Sequence, residues 1–277
     1  MRASAMIRAN RTFTGSARAA SLVLATVALA ACEARYDHEQ PAHEFASPCE
    51  PIVFEKTRFT LCTAEPGTHR IATDLAPPDS DIPFGSFAAF AKAEPGRASH
   101  LAMAMNGGMF DPDRQPVGYY VEDGRRLTVV NEAEGEGNFF LHPNGVFFGS
   151  ADGPWRVMET DRFTAQADDR PEFATQSGPM LVTGGRLHPA FEPDGQSRQI
   201  RNAVGVAANG RALFVISEEP VSLGKLARLY RDVLNVENAL YLDGAISQLW
   251  DPAKQRMDRG SALGPLILVE NRAQAAP

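Results

Sequence analysis

Four short segments of the 277-residue sequence place polar side chains where an apolar, strand-like run meets a glycine or a turn. They are Asn106-Gly107-Gly108, Gln176-Ser177-Gly178, Arg201-Asn202-Ala203-Val204-Gly205 and Asp243-Gly244-Ala245-Ile246-Ser247. A strand fixes the side chain at its end, and a glycine allows a ligand to approach the backbone closely. Each segment alone is also a common turn sequence. Four of them in one chain favour a binding or catalytic site.

The residue types in these segments suit an anionic ligand together with acid or base chemistry. The guanidinium of Arg201 can bind two phosphate oxygens at once, which a lysine cannot do. The backbone N–H groups of Gly107, Gly108 and Gly178 are further anion donors. Asp243 adds a carboxylate to this set.

These motifs, with three others, resemble the phosphodiester glycosidase family. The matching stretches are Asn106-Gly107-Gly108-Met109-Phe110, Pro116-Val117-Gly118, Asn138-Phe139-Phe140, Pro143-Asn144-Gly145-Val146-Phe147, Thr175 to Leu181, Ile200 to Val206 and Ala239 to Gly244. The resemblance runs from about Phe54 to Val269 and is closest to a bacterial branch. Many relatives read Asp-Gly-Gly-x-Ser where this chain has Ala245 in place of the second glycine, while Asp243 and Ser247 are kept.

The resemblance implies a hydrolase that cleaves the bond between a sugar anomeric carbon and a phosphodiester phosphate. In the best-known member, the lysosomal uncovering enzyme, the sugar is N-acetylglucosamine. A carboxylate stabilises the oxocarbenium-like transition state, as nucleophile or as base for water, and we assign this role to Asp243. Arg201 would hold the phosphate. The expected substrate-binding residues are Asn106, Gly107, Gly108, Gln176, Ser177, Gly178, Asn202, Ser247 and His142. For His142 a hydrogen-bonded structural role is an equal alternative.

The sequence leaves the second carboxylate of a glycosidase pair open. The candidates are Asp111, Glu122, Asp123 and Glu218, all of which follow strand-like segments, although each fits a solvated turn acid better than a catalytic one. No HExxH, EF-hand or CxxC motif is present, so neither a metal nor another cofactor is implied. The missing carboxylate and Ala245 motivate the alternative function, a non-catalytic glycan- or phosphate-binding envelope lipoprotein. A protease or esterase is disfavoured because no G-x-S-x-G motif occurs.

Strand signals outnumber helix signals along the chain. A hairpin is predicted over 52–61, strands over 69–75, 101–105, 239–242 and 266–269, and helices over 85–93 and 221–234. Further hairpin turns are predicted at Asp123-Gly124, Asn144-Gly145, Gly184-Gly185 and Asn209-Gly210. The expected fold is a single α+β domain on a mixed, largely antiparallel sheet with few helices.

The N-terminal residues have the layout of an export signal. Residues 1–31 carry four arginines and no acid, followed by an apolar run from Leu22 to Ala31. The ending Leu29-Ala30-Ala31-Cys32 resembles a bacterial lipobox, which predicts lipidation of Cys32; ordinary cleavage after the small residues is the alternative. Residues 32–47 then form a tether and residues 48–277 the folded domain. We expect an envelope lipoprotein, facing the periplasm or the surface and held to a membrane by its lipid.

Export also decides how the two remaining cysteines are interpreted. In an oxidising compartment Cys49 and Cys62 favour a disulfide across the open end of the first hairpin. A redox or metal pair is the weaker alternative, since no CxxC and no histidine cluster accompany them.

Composition and charge exclude several classes of protein. The chain is 44% hydrophobic and 22% charged, with no three-residue glycine period, which excludes collagen-like and disordered chains. Removing residues 1–31 takes the formal net charge from −7 to −11. Such acidity argues against a nucleic acid partner and requires local donors for any phosphate ligand.

Overall fold

A computed structural model describes residues 45–166 and 170–272, and within them short β-strands are the predominant regular secondary structure. In chain order the strands are β1 Cys49–Phe54, β2 Thr57–Ala64, β3 His69–Asp74, β4 Leu101–Asn106, β5 Tyr120–Glu122, β6 Arg125–Thr128, β7 Gly145–Gly149, β8 Trp155–Glu159, β9 Phe173–Ser177, β10 Met180–Thr183, β11 Arg186–Leu187, β12 Asn202–Val206, β13 Ala212–Ser217, β14 Ala239–Tyr241, β15 Leu249–Asp251, β16 Arg256–Met257 and β17 Leu266–Asn271. The α-helices are α1 Phe87–Ala93, α2 Pro95–Ser99, α3 Thr160–Ala165 and α4 Leu223–Arg228.

The strands form three sheets. Seven strands lie in the order β1-β2-β13-β12-β14-β10-β11, five in the order β16-β15-β4-β17-β3, and five in the order β6-β5-β9-β7-β8. Every pairing between these named strands is antiparallel. The expected α+β class, with one folded domain and few helices, is confirmed, although the strands divide among three sheets instead of one.

A shared core joins the three sheets. Phe214 of the seven-stranded sheet, Met103 of β4 and Phe147 of β7 belong to one buried cluster. The rings of Phe147 and Phe214 meet edge to face with centroids 5.7 Å apart, a favourable geometry for aromatic pairs. Strand β4 is buried at every position, which explains its uninterrupted apolar run.

Most predicted elements are present. The turns at Asp123-Gly124, Gly184-Gly185 and Asn209-Gly210 connect adjacent antiparallel strands. The predicted hairpin turn at Asn144-Gly145 is wrong, because Gly145 begins β7 directly after an irregular segment and no strand ends before it. Gly145 is instead needed for packing: a Cβ there would lie 2.8 Å from the Met158 carbonyl oxygen.

The amphipathic helix predicted over 221–234 is confirmed with one irregularity. Helix α4 begins at its N-cap Ser222, whose Oγ accepts the Lys225 N–H, and continues as a π-helical turn over Leu229–Val233. Its apolar side chains, including Leu226 and Tyr230, pack on the seven-stranded sheet.

The first hairpin carries the predicted disulfide. Cys49 and Cys62 are bonded, and they lie opposite each other in the β1–β2 register. The predicted export signal, Cys32 and most of the tether lie outside the described residues. Within residues 45–166 and 170–272, no helix is long and apolar enough to cross a bilayer.

Candidate active site

The ends of strands from all three sheets meet around the turn that carries Asp243. Strand β12 starts at Asn202 and pairs antiparallel with β14, so its first residue lies beside the end of β14. The Leu242 N–H donates to the Asn202 carbonyl oxygen at 3.1 Å. The Ser177 Oγ, at the end of β9, donates to the Leu242 carbonyl oxygen at 3.0 Å. Antiparallel pairing therefore brings together residues that are far apart in sequence.

A buried network of amides and a hydroxyl supports this turn from below. Asn106, the last residue of β4, donates from Nδ2 to the Asp243 carbonyl oxygen at 3.2 Å. Its Oδ1 accepts Asn202 Nδ2 and the Gln248 N–H, each at 2.9 Å. Ser247 Oγ donates to Asn202 Oδ1 at 3.1 Å. The network holds the backbone of the turn between its two ends.

Asp243 is the titratable group of the turn. Its Oδ1 accepts the Ala245 N–H at 3.1 Å, which closes an Asx turn. The side chain is half-buried. Burial raises the pKa of the Asp243 carboxyl, and the hydrogen bond from Ala245 partly opposes that change. A buried carboxyl group with a raised pKa is a recurring feature of catalytic sites.

The structure does not support the predicted phosphate contact of Arg201. Its side chain is 1% exposed, and each of its three nitrogens already donates to a protein acceptor. Nε donates to the Val221 carbonyl oxygen at 2.8 Å, Nη1 to Tyr241 Oη at 2.7 Å and Nη2 to the Ser197 carbonyl oxygen at 3.0 Å. Arg201 therefore lies beneath the site and binds protein groups.

Tyr241 connects Arg201 to the turn, and the sequence reasoning missed it. Its hydroxyl lies so close beneath Gly244 that a Cβ on Gly244 would overlap it. Burial raises the pKa of Tyr241, opposed chiefly by the charge of Arg201, and the negative charge of Asp243 raises it further. The one sequence feature that pointed to Tyr241 was its position two residues before Asp243. A core residue of the same strand would occupy that position equally well.

Gly107, Gly108 and Gln176 form hydrogen bonds to the scaffold in this structure, and their contact with substrate stays a prediction. The Gly107 N–H donates to the Pro265 carbonyl oxygen at 2.7 Å and the Gly108 N–H to Thr175 Oγ1 at 3.0 Å. Gln176 is buried, and its Oε1 accepts the backbone N–H groups of two loop residues. These donors are Tyr119 at 2.8 Å and Asn131 at 2.9 Å.

Close packing accounts for Gly178, and His142 lies on the adjoining loop. A Cβ on Gly178 would come within 2.7 Å of the Asn144 Cβ. The Pro143 carbonyl oxygen accepts the Met180 N–H at 2.8 Å, which places the loop carrying His142 beside the Gly178 segment. His142 is exposed, and its carbonyl oxygen lies 2.9 Å from His188 Nε2. Exposure keeps His142 accessible to a ligand.

An open cleft begins at the same turn. It has a volume of about 470 Å³, and one wall consists of residues Gly244 to Ser247. Ala245 is exposed on this wall, so its methyl group occupies space at the cleft that a glycine would leave open. Of the four candidate second carboxylates, Glu218 also lines this cleft. Its Oε1 lies 2.7 Å from Arg256 Nη1 in an ion pair.

The other three acids lie elsewhere in the structure. Asp111 accepts the Gln115 N–H at 2.9 Å and closes a turn. Asp123 occupies the β5–β6 hairpin turn with a φ of 49°. Glu122 ends β5, and burial, helped by the charge of Asp74, raises its pKa to about 7. Within the described part of the chain, no group of three or more His, Cys, Asp or Glu is arranged to hold a metal ion.

The fold and the motif order define a phosphodiester glycosidase domain, and the chain belongs to that family. Residues 99–257 match the family's sequence profile, which is described as phosphodiester glycosidase. The match includes Asn106, Gln176, Asn202 and Asp243, as the resemblance of the motifs indicated.

Individual proteins are similar to this chain in sequence or in structure. The chain is 40% identical over 150 residues to the uncharacterized Escherichia coli (strain K12) protein YigE, an alignment that spans 54% of this chain and 58% of YigE. The catalytic domain of zebrafish N-acetylglucosamine-1-phosphodiester alpha-N-acetylglucosaminidase, auto-inhibited by its pro-peptide, has a similar structure, with a TM-score of 0.56 at 15% identity over 83% of this chain and 86% of that one.

A putative exported protein from Burkholderia pseudomallei K96243 is also similar, with a TM-score of 0.51 at 14% identity over 77% of this chain and 74% of that one. At these identities the two structural likenesses establish the shared fold.

Proposed function

We propose that the chain hydrolyses a sugar-1-phosphodiester, releasing a free sugar and a phosphomonoester, in envelope or exopolysaccharide metabolism. The observation that supports this most directly is the half-buried Asp243 carboxyl at the point where strand ends of three sheets meet, on a turn whose following residues, Gly244 to Ser247, line an open cleft. Membership of the family supports the reaction class. N-acetylglucosamine is the first sugar to test, because the zebrafish enzyme's name specifies it.

In this proposal Asp243 acts at the anomeric carbon. The transition state carries positive charge on the sugar ring, which a carboxylate stabilises as nucleophile or as general base for water. A phosphate is a better leaving group than an alkoxide, so the reaction has less need for a strong general acid. Asn106, Asn202 and Ser247 hold the turn so that the carboxylate is placed before the substrate binds.

The decisive assay incubates the purified chain with an N-acetylglucosamine-1-phosphodiester and measures released reducing sugar. We expect Asp243→Asn to lower kcat/KM by about 10²- to 10⁴-fold, because the amide cannot act as base or nucleophile. Asp251→Asn is the matched control, since Asp251 also caps a turn through Lys254 N–H but belongs to another part of the molecule. Equal activity of Asp243→Asn and the parent would remove Asp243 from the mechanism.

A non-catalytic glycan-binding role is the second candidate, favoured by the Asx turn that Asp243 closes. In that case the carboxylate is structural, and the chain binds a sugar phosphodiester without cleaving it. The same assay separates the two, because saturable binding of an intact substrate without release of sugar is the result expected of a binding protein.

We also propose export of the chain and lipidation of Cys32. They rest on the arginines and apolar run of residues 1–31 and on Cys32, and the neighbouring structure described as a putative exported protein is consistent with them. Mass spectrometry of the mature N terminus would reveal a diacylated Cys32 as its first residue, and an unmodified terminus would overturn the lipoprotein assignment.

A further inference from the structure

The cleft beside the Asp243 turn continues well past the turn itself. One part of its lining is Gly244 to Ser247, and a second wall includes residues 256 and 258–261. At about 470 Å³ it falls within the range of small-ligand pockets in proteins. It is therefore large enough to hold a part of the substrate other than the sugar at Asp243.

The second wall is hydrogen-bonded to the start of β15 and to the residue before it. The Leu249 N–H donates to Asp258 Oδ2 at 3.0 Å, and the Asp258 N–H donates to the Leu249 carbonyl oxygen at 3.0 Å. Gln248 Nε2 donates to the Ser261 carbonyl oxygen at 2.8 Å. These bonds fix residues 258–261 before any ligand enters, which lowers the entropic cost of binding.

The charges in the cleft are unevenly paired. Arg256 forms ion pairs with Asp258 through Nε at 3.0 Å and with Glu218 through Nη1 at 2.7 Å. Its charge is thus offset by two carboxylates. Arg259, by contrast, is exposed on the same wall, and no ion pair or hydrogen bond joins its guanidinium to any residue in 45–166 or 170–272. In an acidic chain, an unpaired cation inside a pre-formed cleft is placed to meet an anion.

The remaining lining suits a polyol. Gln199, Ser247 and Ser261 line the cleft with amide and hydroxyl groups, and Ile200 and Ile246 add apolar surface. Hydroxyl and amide groups exchange hydrogen bonds with sugar hydroxyls, while a guanidinium binds phosphate in two-pronged geometry.

We propose that this cleft is the subsite for the alcohol side of the phosphodiester, and that it takes a phosphorylated sugar or polyol whose distal phosphate binds Arg259. This rests on the proposed function, because it extends the substrate away from Asp243. The preferred substrate then carries two phosphates: the diester that is cleaved and a second phosphate on its aglycone. Arg259 is a specificity-determining residue in this arrangement.

Binding of product-side fragments tests the subsite without any need for catalysis. The probes are glucose 6-phosphate and glucose, titrated by calorimetry into the full chain purified in detergent. We expect the parent to bind glucose 6-phosphate more tightly than glucose, and Arg259→Ala to lose about tenfold for glucose 6-phosphate alone, the effect typical of one charge-assisted hydrogen-bond pair in an open site. Arg259→Lys should retain part of the affinity. Arg186→Ala, an exposed arginine on β11, is the matched control and should bind as the parent does.

Kinetics then separates the subsite from the proposed reaction. Two N-acetylglucosamine-1-phosphodiesters are compared, one with a methyl aglycone and one with a glycerol 3-phosphate aglycone. We expect Arg259→Ala to raise KM about tenfold for the second substrate only. Cleavage of both substrates with an unchanged KM in Arg259→Ala would overturn the subsite and leave the reaction in place. Binding that depends on Arg259, with neither substrate cleaved, would support the subsite and overturn the reaction. Parent binding of glucose 6-phosphate no tighter than glucose would also overturn the subsite.

Discussion

At the scale of single residues, Asp243 and Tyr241 are the groups through which the site can be tested. Burial raises the pKa of Asp243, so its carboxylate forms at a higher pH than that of an exposed aspartate. The Tyr241 hydroxyl contacts both Arg201 and Gly244, so removing it would alter the packing of the turn that carries Asp243. We therefore expect Asp243 to set the pH dependence of the reaction and Tyr241 to affect kcat.

The first prediction concerns the pH dependence of hydrolysis. If ionised Asp243 is required, kcat/KM falls as pH decreases through its raised pKa, so the acidic limb lies above the ordinary aspartate value of about 3.9. A pH–rate profile of the parent measures this limb directly. Asp243→Glu should shift the pH of the acidic limb. A parent profile in which kcat/KM is constant down to pH 4 would contradict the catalytic role of Asp243.

The second prediction concerns Tyr241→Phe. Removing the hydroxyl takes away the acceptor of Arg201 Nη1 and loosens the support of Gly244. We expect kcat to fall about tenfold while KM stays within about twofold, as for a residue that positions another. Tyr230→Phe is the matched control, because its buried hydroxyl donates to the Ala203 carbonyl oxygen in the sheet. If both variants lose the same kcat, Tyr241 has only a structural role.

Several residues illustrate how far the sequence predicts the site. The motifs identified the right neighbourhood, since Asn106, Asn202, Ser247 and Asp243 do meet. The motifs did not distinguish side chains that contact a ligand from side chains that support the scaffold. The sequence around an arginine before a strand is the same whether that arginine is buried or open to solvent, and Arg201 is 1% exposed. Burial depends on contacts between distant segments, and a single sequence does not contain that information.

At the scale of elements, short hairpins were the most predictable part of the fold. The turn at Asp123-Gly124 has positive φ at both residues, the geometry for which Asp-Gly is favoured. Asn144-Gly145 has the same kind of turn signal, but Gly145 begins β7 and no strand ends before it; Asn144 Nδ2 donates to the Phe139 carbonyl oxygen. A turn dipeptide is thus informative only where a strand ends before it.

The third prediction tests the hairpin of β1 and β2. Replacing both Cys49 and Cys62 by alanine should lower the free energy of unfolding by about 2–3 kcal/mol, because the bridge restricts the unfolded chain. Urea denaturation of the variant and of the parent measures the difference. Treating the parent with a reductant should produce a similar loss, and an unchanged midpoint in both samples would show that the bridge contributes little.

At the scale of the whole molecule, two sheets meet at a seam that contains acids. Thr73 of β3 donates from Oγ1 to the Val121 carbonyl oxygen of β5 at 2.5 Å. Burial raises the pKa of Asp74 to about 6, even though Arg97 Nη1 lies 2.6 Å away. Glu122 has a pKa of about 7, raised first by burial and then by Asp74. The folded chain thus binds more protons here than the unfolded chain between about pH 4 and 7.

The fourth prediction follows from that sign. Asp74 and Glu122 have higher pKa values in the folded chain than in the unfolded chain. The stabilisation that their protonated forms provide is therefore fully present below about pH 4 and is lost as pH rises towards 7. Glu122→Gln should therefore stabilise the chain by about 1 kcal/mol at pH 8, a value reduced because the carboxyl is partly exposed, and have little effect at pH 4. Thermal unfolding at the two pH values measures this. Glu134→Gln, an exposed control, should show no such dependence.

The covalent bond between Cys49 and Cys62 also has a mechanical consequence. Cys49 is the first residue of β1, an edge strand, whereas Cys62 belongs to β2, which lies between β1 and β13. A force applied to the chain before Cys49 cannot peel β1 away one hydrogen bond at a time, because the bond transmits that force directly to β2. To yield, the sheet would have to shear β2 against β13, whose six paired positions resist together.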